Sequence, residues 1–311
     1  MKRTYEETDE FVQYRGRLAP SPTGYLHLGH AFTFWTAQQR AREHGGQLIL
    51  RIEDLDRERC TAKFHDALAE DLHWFGFQWS EGPDVGGSFA PYVQSERRSH
   101  YLEAWERLRT SGCIYPCRCS RRDVQTALSA PHEGSIGRPV LDEEPVYPGT
   151  CRPSPGHIAQ AVVPAGSSWR FRVPDGMELC FTDERLGRQT AVAGRDFGDF
   201  VVWRKDNVPA YQLAVVADDA AMRITEVVRG EDLLMSTFRQ LLIYRALGFT
   251  PPRWYHCPLI FDESGRRLAK RNDALSLYTL RAHGATPEEM RRKHGIDRRV
   301  QNNPTAIQAE T

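Results

Sequence analysis

The sequence predicts an α/β protein whose core is a parallel sheet, and three observations lead to this prediction. Gly16–Ala19 has the composition of a short buried strand, and it ends at a loop with two prolines and a glycine. Leu28–Arg42 favours a helix that stops near Gly45. The β-rich apolar run Gln47–Ile52 follows at once. A strand, a loop, a helix and a second strand in this order form the unit of a Rossmann-type parallel sheet.

The rest of the chain continues this alternation. The apolar run Tyr211–Val216 fits either a strand or a buried helix, and residues 273–294 have helical composition. Gly82–Pro91 favours a loop, and residues 130–155 favour an irregular insertion. Further helices are predicted at Phe64–Phe75, Tyr101–Leu108 and Thr237–Leu247, and further strands at Trp169–Val173, Cys180–Asp183, Phe200–Trp203, Ile224–Val228 and His256–Phe261.

Composition limits the classes of protein that the chain can belong to. Its 311 residues suffice for one large α/β domain with a smaller insertion. No segment approaches the ~20 apolar residues of a membrane span, and Met1–Asp9 lacks the apolar run of a secretory signal, so we expect a cytoplasmic protein. The formal net charge is +0, so a nucleic-acid partner would need a local basic patch. The candidate patch is Arg291, Arg292, Lys293, Arg298 and Arg299, for which a solvated helix face is the favoured alternative.

A nucleotide site is predicted at residues 17–30, RLAPSPTGYLHLGH, where a strand is followed by a helix. A tight loop at this place directs backbone N–H groups and the N-terminus of the helix toward a phosphate. Gly29 permits close approach of a nucleotide, and His27 and His30 project toward one side of the helix. Two histidines alone are more often surface or core residues, so the prediction depends on the whole run.

This run resembles the His-x-Gly-His signature of class I aminoacyl-tRNA synthetases, in the Arg-x-Ala-Pro-Ser-Pro-Thr-Gly form of the glutamate and glutamine subgroup. Residues 51–56, RIEDLD, follow at the spacing typical of that subgroup, although alone they would indicate a salt-linked strand end. Residues 211–219 and 228–233 are similar to further motifs of the family. The resemblance covers about residues 15–294 and implies the class I catalytic core with an inserted acceptor-binding-like subdomain.

The resemblance also implies a glutamate site. Glutamate offers two carboxylates and one ammonium group, so a selective pocket needs a cation and polar or acidic acceptors. The matching motif positions give Arg17 and Arg229 as the cations, with Ser21, Glu53 and Tyr211 completing the pocket. Without the resemblance, Tyr211 could as well be a buried core aromatic.

Residues 267–272, RLAKRN, resemble the mobile Lys-Met-Ser-Lys-Ser loop in its subgroup form, Lys-Leu-Ser-Lys-Arg. Arg267 stands where the first lysine usually is, and Ala269 replaces the serine, so a hydroxyl that could contact phosphate is lost. Lys270 retains the second lysine of the loop, which in the family balances negative charge on the triphosphate. The resemblance therefore implies ATP with Mg²⁺ as substrate, L-glutamate as the nucleophile, and Lys270, His27 and His30 as the catalytic groups.

Seven cysteines, with Cys117 and Cys119 one residue apart, indicate metal chemistry before they indicate a disulfide framework. With Tyr147 and Cys151 they supply three thiolates and one phenol, although unliganded buried cysteines remain an alternative. By spacing alone the competitors for a ligand position are Cys113, His132 and His157. The Cys-x-Cys and Tyr-x3-Cys pattern resembles the zinc site of glutamyl-queuosine tRNA(Asp) synthetases. That resemblance implies one structural Zn²⁺ per chain, held by Cys117, Cys119, Tyr147 and Cys151.

Only 39 residues follow Asn272, too few for the helical anticodon-binding domain of a full glutamyl-tRNA synthetase. The resemblance therefore fits a truncated paralogue, and the family alone implies that its acceptor is the queuosine of tRNA(Asp). We also expect a monomer. Two alternatives stay open: a stand-alone catalytic domain that charges the tRNA 3′ end, and a non-catalytic tRNA-binding or regulatory paralogue. The expected domains are a flexible N-terminus (1–14), the first half of the catalytic domain (15–112), a zinc-containing inserted subdomain (113–200), the second half with the lysine loop (201–272), and a short helical segment with a polar tail (273–311).

Overall fold

The computed structural model describes residues 13–120, 122–124, 146–260 and 276–293. Lys270 with its loop, His132, and the basic residues Arg298 and Arg299 lie outside the described residues, so the hypotheses about them stay predictions. The α-helices are α1 (Leu28–Glu43), α2 (Ala62–Phe75), α3 (Arg98–Thr110), α4 (Tyr211–Ala221), α5 (Leu234–Leu247), α6 (Leu277–Ala282) and α7 (Pro287–Lys293). The strands are β1 (Arg15–Leu18), β2 (Gln47–Leu50), β3 (Ile114–Cys117), β4 (Ser168–Phe171), β5 (Glu178–Asp183), β6 (Gly187–Val192), β7 (Phe200–Trp203), β8 (Glu226–Gly230) and β9 (Arg253–Cys257).

The chain divides into two compact units, each built from separate stretches of sequence. The first unit comprises Met1–Val93, Arg223–Gly230 and Pro252–Thr311. The second unit comprises Gln94–Met222 and Glu231–Pro251. Each unit therefore needs segments that are distant in the sequence.

The first unit contains two pairs of parallel strands, as expected for a parallel α/β core. β1 pairs with β2 in parallel, from Arg15 opposite Gln47 onward, and α1 makes the crossover between them. β8 pairs with β9 in parallel, from Glu226 opposite Arg253 onward. β1 meets the start of β8 where the backbone N–H of Thr225 donates to the carbonyl of Arg15 at 2.9 Å. The α/β prediction is confirmed.

A buried ion pair links α1 to the sheet of the first unit. The Arg40 guanidinium donates to both carboxylate oxygens of Glu226, at 2.6 and 2.7 Å, and the Tyr14 hydroxyl donates to the same carboxylate at 2.7 Å. These contacts satisfy a charge that would be costly to bury alone. Burial opposes ionisation, but the Arg40 guanidinium lowers the pKa of Glu226 below its usual value.

The second unit combines an antiparallel sheet with the helices α3, α4 and α5. β4 pairs in antiparallel fashion with β3 and with β7, and β5 and β6 form an antiparallel hairpin. The buried carboxylate of Asp218 in α4 accepts from Arg97 at 2.6 Å, from Gln94 at 2.7 Å and from Tyr101 at 2.9 Å. This network fixes α4 against the segment that contains α3.

The described elements refine several predictions. Tyr211–Val216, which was open between strand and helix, lies in α4. The predicted strand His256–Phe261 is wrong in extent, because β9 runs from Arg253 to Cys257. Pro258 has no N–H to continue the ladder, and the pairing begins earlier, at Arg253. β3 and β6 were not predicted, since Pro116 interrupts the first and polar residues dominate the second.

Within the described ranges, no helix is long and apolar enough to cross a membrane. The described part of the predicted basic patch lies at the end of α7. There the Arg291 guanidinium packs over the Trp35 ring, 4.4 Å from its centroid, and donates to Glu288 at 2.7 Å. Arg291 thus has packing and ionic contacts of its own.

Candidate functional site

Five residues that carry polar chemistry lie at or just beyond the carboxyl ends of parallel strands in the first unit. We call them the strand-end cluster: Arg17 at the end of β1, His27 after it, Glu53 after β2, Arg229 in β8 and His256 in β9. In open parallel α/β sheets, ligands bind at this edge. The sheet therefore places these side chains where a nucleotide or amino acid would be expected.

The loop after β1 presents two imidazoles at the start of α1. His27 is the N-cap residue of α1, with extended backbone, and its side chain is buried. The His30 Nδ1 atom accepts from the backbone N–H of His27 at 3.3 Å, and the two ring centroids are 6.2 Å apart. Because Nδ1 accepts, a neutral His30 carries its proton on Nε2. The N-terminus of this 16-residue helix also presents the positive end of its dipole to an anion.

The acidic run after β2 is tied to the same loop. The backbone N–H of Glu53 donates to the Pro20 carbonyl at 2.9 Å, and that of Arg51 donates to the Leu18 carbonyl at 2.9 Å. The Glu53 carboxylate accepts from the fully buried Arg51 guanidinium at 3.0 Å. A salt bridge is therefore present at the strand end, and it holds Glu53 beside the loop that contains Ser21.

The two arginines predicted to bind glutamate are both buried, and both lie at β8: Arg17 contacts its backbone and Arg229 is one of its residues. The Arg17 guanidinium donates through Nη1 to the carbonyl of Val228 at 3.1 Å, and Val228 directly precedes Arg229. Buried guanidinium groups interact strongly with a carboxylate because little water screens them. This geometry brings two cations to one stretch of β8.

His256 is a member of this cluster that sequence reasoning missed. It lies opposite Arg229 in the pairing of β8 with β9, and it is completely buried. The Arg229 Nε–H donates to His256 Nε2 at 3.2 Å. A guanidinium only donates, so Nε2 is the accepting nitrogen and the ring is neutral in this arrangement. No local sequence signal gives this contact, because it depends on the register of two strands that are distant in sequence.

The segment after residues 267–272, which contain Lys270, contacts the histidine motif, residues 27–30, and the residues just before it. The backbone N–H of Leu277 donates to the Leu26 carbonyl at 2.7 Å, and Ser276 forms a β-bridge with His27. Tyr278 stacks on Tyr25, with ring centroids 4.4 Å apart. The chain thus contacts the motif again a few residues after Lys270.

The remaining predicted residues have separate positions. Ser21 is exposed in the loop after β1, and Gly29 is a partly buried residue of the first turn of α1. Tyr211 belongs to the second unit, where it is the first residue of α4 and 38% exposed. Tyr211 is therefore not the buried core aromatic that its residue type alone allows.

The second unit contains a cluster of metal-binding side chains. The Sγ atoms of Cys117, Cys119 and Cys151 all lie within 4.8 Å of one another. The Tyr147 hydroxyl lies 3.4 Å from Cys117 Sγ and 3.5 Å from Cys119 Sγ, and Cys119 Sγ lies 3.5 Å from Cys151 Sγ. Among the described residues, this grouping of metal-ligand atoms includes neither of two competitors, Cys113 and His157.

The spacing of these atoms fits a tetrahedral ion. Ligand bonds of about 2.0 to 2.3 Å place the donor atoms of a tetrahedral zinc site roughly 3.3 to 3.8 Å apart. A disulfide would need two sulfurs at about 2.05 Å, and the cysteines are free. Burial opposes ionisation of Cys151, but the Arg118 backbone N–H and the Tyr147 hydroxyl lower its pKa to about 7. The positions of the three thiols allow them to hold a metal ion.

Comparison with known proteins identifies a family and several relatives. Residues 13–300 match the sequence profile of the family described as tRNA synthetases class I (E and Q), catalytic domain. A Glutamyl-Q tRNA(Asp) synthetase of Symbiobacterium thermophilum is 48% identical over 275 residues, which cover 88% of this chain and 83% of that protein. One of the same name from Nitratidesulfovibrio vulgaris is 46% identical over 272 residues, covering 87% of this chain and 82% of that protein.

A solved structure is also similar. The glutamate tRNA ligase of Elizabethkingia meningosepticum, crystallised in complex with its amino acid, superposes with a TM-score of 0.68 at 28% sequence identity. The match covers 84% of this chain and 52% of that one, so this chain spans about half of the length of that ligase.

Proposed function

The chain belongs to the class I tRNA synthetase family (E and Q), and on that premise we propose that this ligase activates L-glutamate with ATP and transfers it to the queuosine of tRNA(Asp). The observation that carries the proposal is the strand-end cluster. Two buried arginines, Glu53 and the histidine motif lie at or just beyond the carboxyl ends of parallel strands in the first unit, and ligands of open parallel α/β sheets bind at such ends.

The proposed glutamate site uses opposite charges. Arg17 and Arg229 bind the carboxylates of the substrate, because each is a buried guanidinium with its position fixed by β8 or β9. Glu53 is held next to the loop by the Pro20 carbonyl and is the proposed partner of the ammonium group. Ser21 and Tyr211 keep the binding roles that the matching motif positions imply.

The proposed reaction proceeds in two steps without a covalent enzyme intermediate. A carboxylate oxygen of glutamate attacks the α-phosphorus of ATP in line, and the bond between the α-phosphorus and the α,β-bridging oxygen breaks, giving glutamyl-adenylate and pyrophosphate. A hydroxyl of the acceptor then attacks the mixed anhydride, loses its proton, and releases AMP. Mg²⁺, His27, His30 and Lys270 stabilise the charge that develops on the phosphates, while Gly29 leaves room for the nucleotide.

The proposed acceptor follows from similarity. The two Glutamyl-Q tRNA(Asp) synthetases are 46–48% identical to this chain, whereas two glutamate–tRNA ligases are 40–43% identical to it. Charging of the tRNA 3′ end is the rival, and a non-catalytic tRNA-binding paralogue is the alternative of another class.

We further propose that Cys117, Cys119, Tyr147 and Cys151 hold one structural zinc ion. Their spacing supports a closed four-ligand site, and three sulfur donors favour zinc over the oxygen-preferring cations. Within the second unit such an ion would join β3 to the segment that contains Tyr147 and Cys151. Metal analysis of protein purified without chelators is expected to give one zinc per chain.

Glutamate-dependent exchange of pyrophosphate into ATP tests the activation step. Wild-type protein is expected to exchange, and Lys270→Ala is expected to be strongly slowed, because charge on the triphosphate loses its partner. Arg188→Gln, a change at an exposed residue of β6, is the matched loss of one positive charge. Absence of exchange with glutamate at every magnesium concentration, with and without tRNA, would reject the enzyme proposal and favour the binding module.

The acceptor is tested separately by determining which tRNA receives labelled glutamate. Labelled glutamate is offered with tRNA(Asp) that contains queuosine, with the same tRNA lacking it, and with tRNA(Glu). Transfer only to the queuosine-containing tRNA supports the proposal. Transfer to the 3′ end of tRNA(Glu) would support the rival instead.

A further inference from the structure

Arg170 lies against two of the four proposed zinc ligands. Its Nε–H donates to Cys117 Sγ at 3.3 Å, and its guanidinium carbon lies 3.9 Å from the centroid of the Tyr147 ring. Arg170 is a residue of β4 and only 9% exposed. One buried cation thus contacts a thiol and the face of the phenol at once.

The proposed ligand set creates a charge problem that Arg170 can solve. Three thiolates and a phenolate around Zn²⁺ leave roughly two net negative charges in a partly buried site. Buried charge without compensation is costly. A guanidinium is weakly hydrated, stacks on aromatic rings and donates along its edge, so it suits a place between a sulfur and a ring.

The position of Arg170 is fixed by contacts on its other side. Nη1 donates to the backbone carbonyl of Asp199 at 3.0 Å. The Asp199 carboxylate accepts from the Tyr115 hydroxyl at 2.5 Å and from the Val173 N–H at 2.8 Å. Among the described residues, Arg170 forms no salt bridge with a carboxylate; the Asp199 carboxylate pairs with Arg152 instead. Its positive charge is therefore directed at the ligand cluster.

We infer that Arg170 is a positioning residue of the metal site, which stabilises the anionic ligands through Cys117 and Tyr147 and so raises the affinity for zinc. The inference rests on the proposed zinc site. It explains how a phenol can serve beside three thiols: the ring that supplies the fourth ligand atom is the ring over which Arg170 is stacked. It also assigns a function to a buried arginine that lies outside the predicted ligand set.

The test measures zinc affinity of the full-length protein by competition with a chromophoric chelator. Arg170→Gln removes the charge and is expected to weaken zinc binding by about 10- to 100-fold, the range for loss of a partner of a metal ligand. Arg170→Lys keeps the charge without the planar group, so an intermediate loss is expected. The matched control, Arg188→Gln, is expected to bind zinc like the wild type.

A double-mutant comparison separates electrostatics from packing. Tyr147→Phe keeps the aromatic ring but removes the phenolate, so Arg170→Gln should cost a smaller factor in that background than in the wild type. Equal factors in both backgrounds would mean that Arg170 does not act through the phenolate. Far-ultraviolet circular dichroism of each metal-free variant checks the fold, and Arg170→Lys carries the test if Arg170→Gln does not fold.

The outcomes distinguish this inference from its premise. Wild-type protein that binds no zinc overturns the zinc site and the role of Arg170 together. Wild-type protein that binds zinc, with unchanged affinity in Arg170→Gln and Arg170→Lys, overturns only the role of Arg170. A loss confined to Arg170 variants, smaller in the Tyr147→Phe background, supports both.

Discussion

A buried acid in the first unit gives a stability prediction with a defined dependence on pH. Asp71 of α2 is 0% exposed, and its Oδ1 lies 3.5 Å from the Arg281 guanidinium of α6. Burial raises the pKa of Asp71 from 3.8 to about 7; the Arg281 charge opposes this shift and the neighbouring Glu70 adds to it. α6 begins at Leu277, whose backbone N–H donates to the carbonyl of Leu26 next to His27. The Asp71 carboxyl therefore contacts a helix that borders the predicted nucleotide site.

The sign and the size follow from linkage. A raised native pKa means that the folded state favours the protonated form, so the contribution to stability is complete below 3.8 and is lost as pH rises through about 7. The full span corresponds to about 4 kcal/mol, at about 1.4 kcal/mol for each pKa unit. Between about pH 5.5 and about pH 8, roughly 1.5 units are traversed, which corresponds to about 2 kcal/mol.

Asp71→Asn removes the titration but keeps nearly the same shape. Relative to the wild type, the free energy of unfolding of this variant is therefore expected to rise by about 2 kcal/mol when the pH is raised from about 5.5 to about 8. Urea unfolding at both pH values measures the difference, and groups titrating in both proteins cancel. Asp66→Asn, an exposed carboxyl on the same helix, is the control. Parallel pH dependence of Asp71→Asn and the wild type would refute the reasoning.

Three further predictions concern the binding site, the core and the metal. Arg229→Gln is expected to raise the KM for glutamate by about 10- to 100-fold, because it removes a charged hydrogen bond to the substrate. His256→Phe is expected to raise this KM by about tenfold or less, because it removes only the hydrogen bond that supports Arg229. Equal KM values for the variants and the wild type in pyrophosphate exchange would contradict both expectations. Arg40→Met is expected to lower the free energy of unfolding by about 3 to 5 kcal/mol in urea, because the buried Glu226 charge loses its partner; a loss under about 1 kcal/mol would argue against that account. Cys117→Ser is expected to lower zinc content in metal analysis, and full occupancy would place the ion elsewhere.

The parallel core could be predicted because its signals are local. Leu28–Arg42 has helical composition and ends at glycines, and the observed helix runs from Leu28 to Glu43. The predicted strand Gln47–Ile52 corresponds to the observed Gln47–Leu50. β9 was misplaced because its limits depend on pairing with β8 and on Pro258. Pairing across long stretches of sequence leaves no periodic signal in either strand.

The candidate site shows the same division. Motif positions predicted Arg17, His27, Glu53 and Arg229, and in the first unit all four lie at or just beyond the carboxyl ends of parallel strands. Their roles stay predictions until glutamate activation is measured. His256 could not have been found in this way, because only the register of β8 against β9 brings it to the Arg229 guanidinium.

The sequence by itself determined the family, the parallel α/β core and the identity of the residues that carry the proposed chemistry, because those depend on residue type and local spacing. The tertiary structure alone decided which buried groups meet. It brings Arg170 into contact with Cys117 and Tyr147, and it brings Asp71 close to Arg281 of α6. The physical reason is that electrostatic energy depends on distance and burial in space, and neither quantity is fixed by separation along the chain.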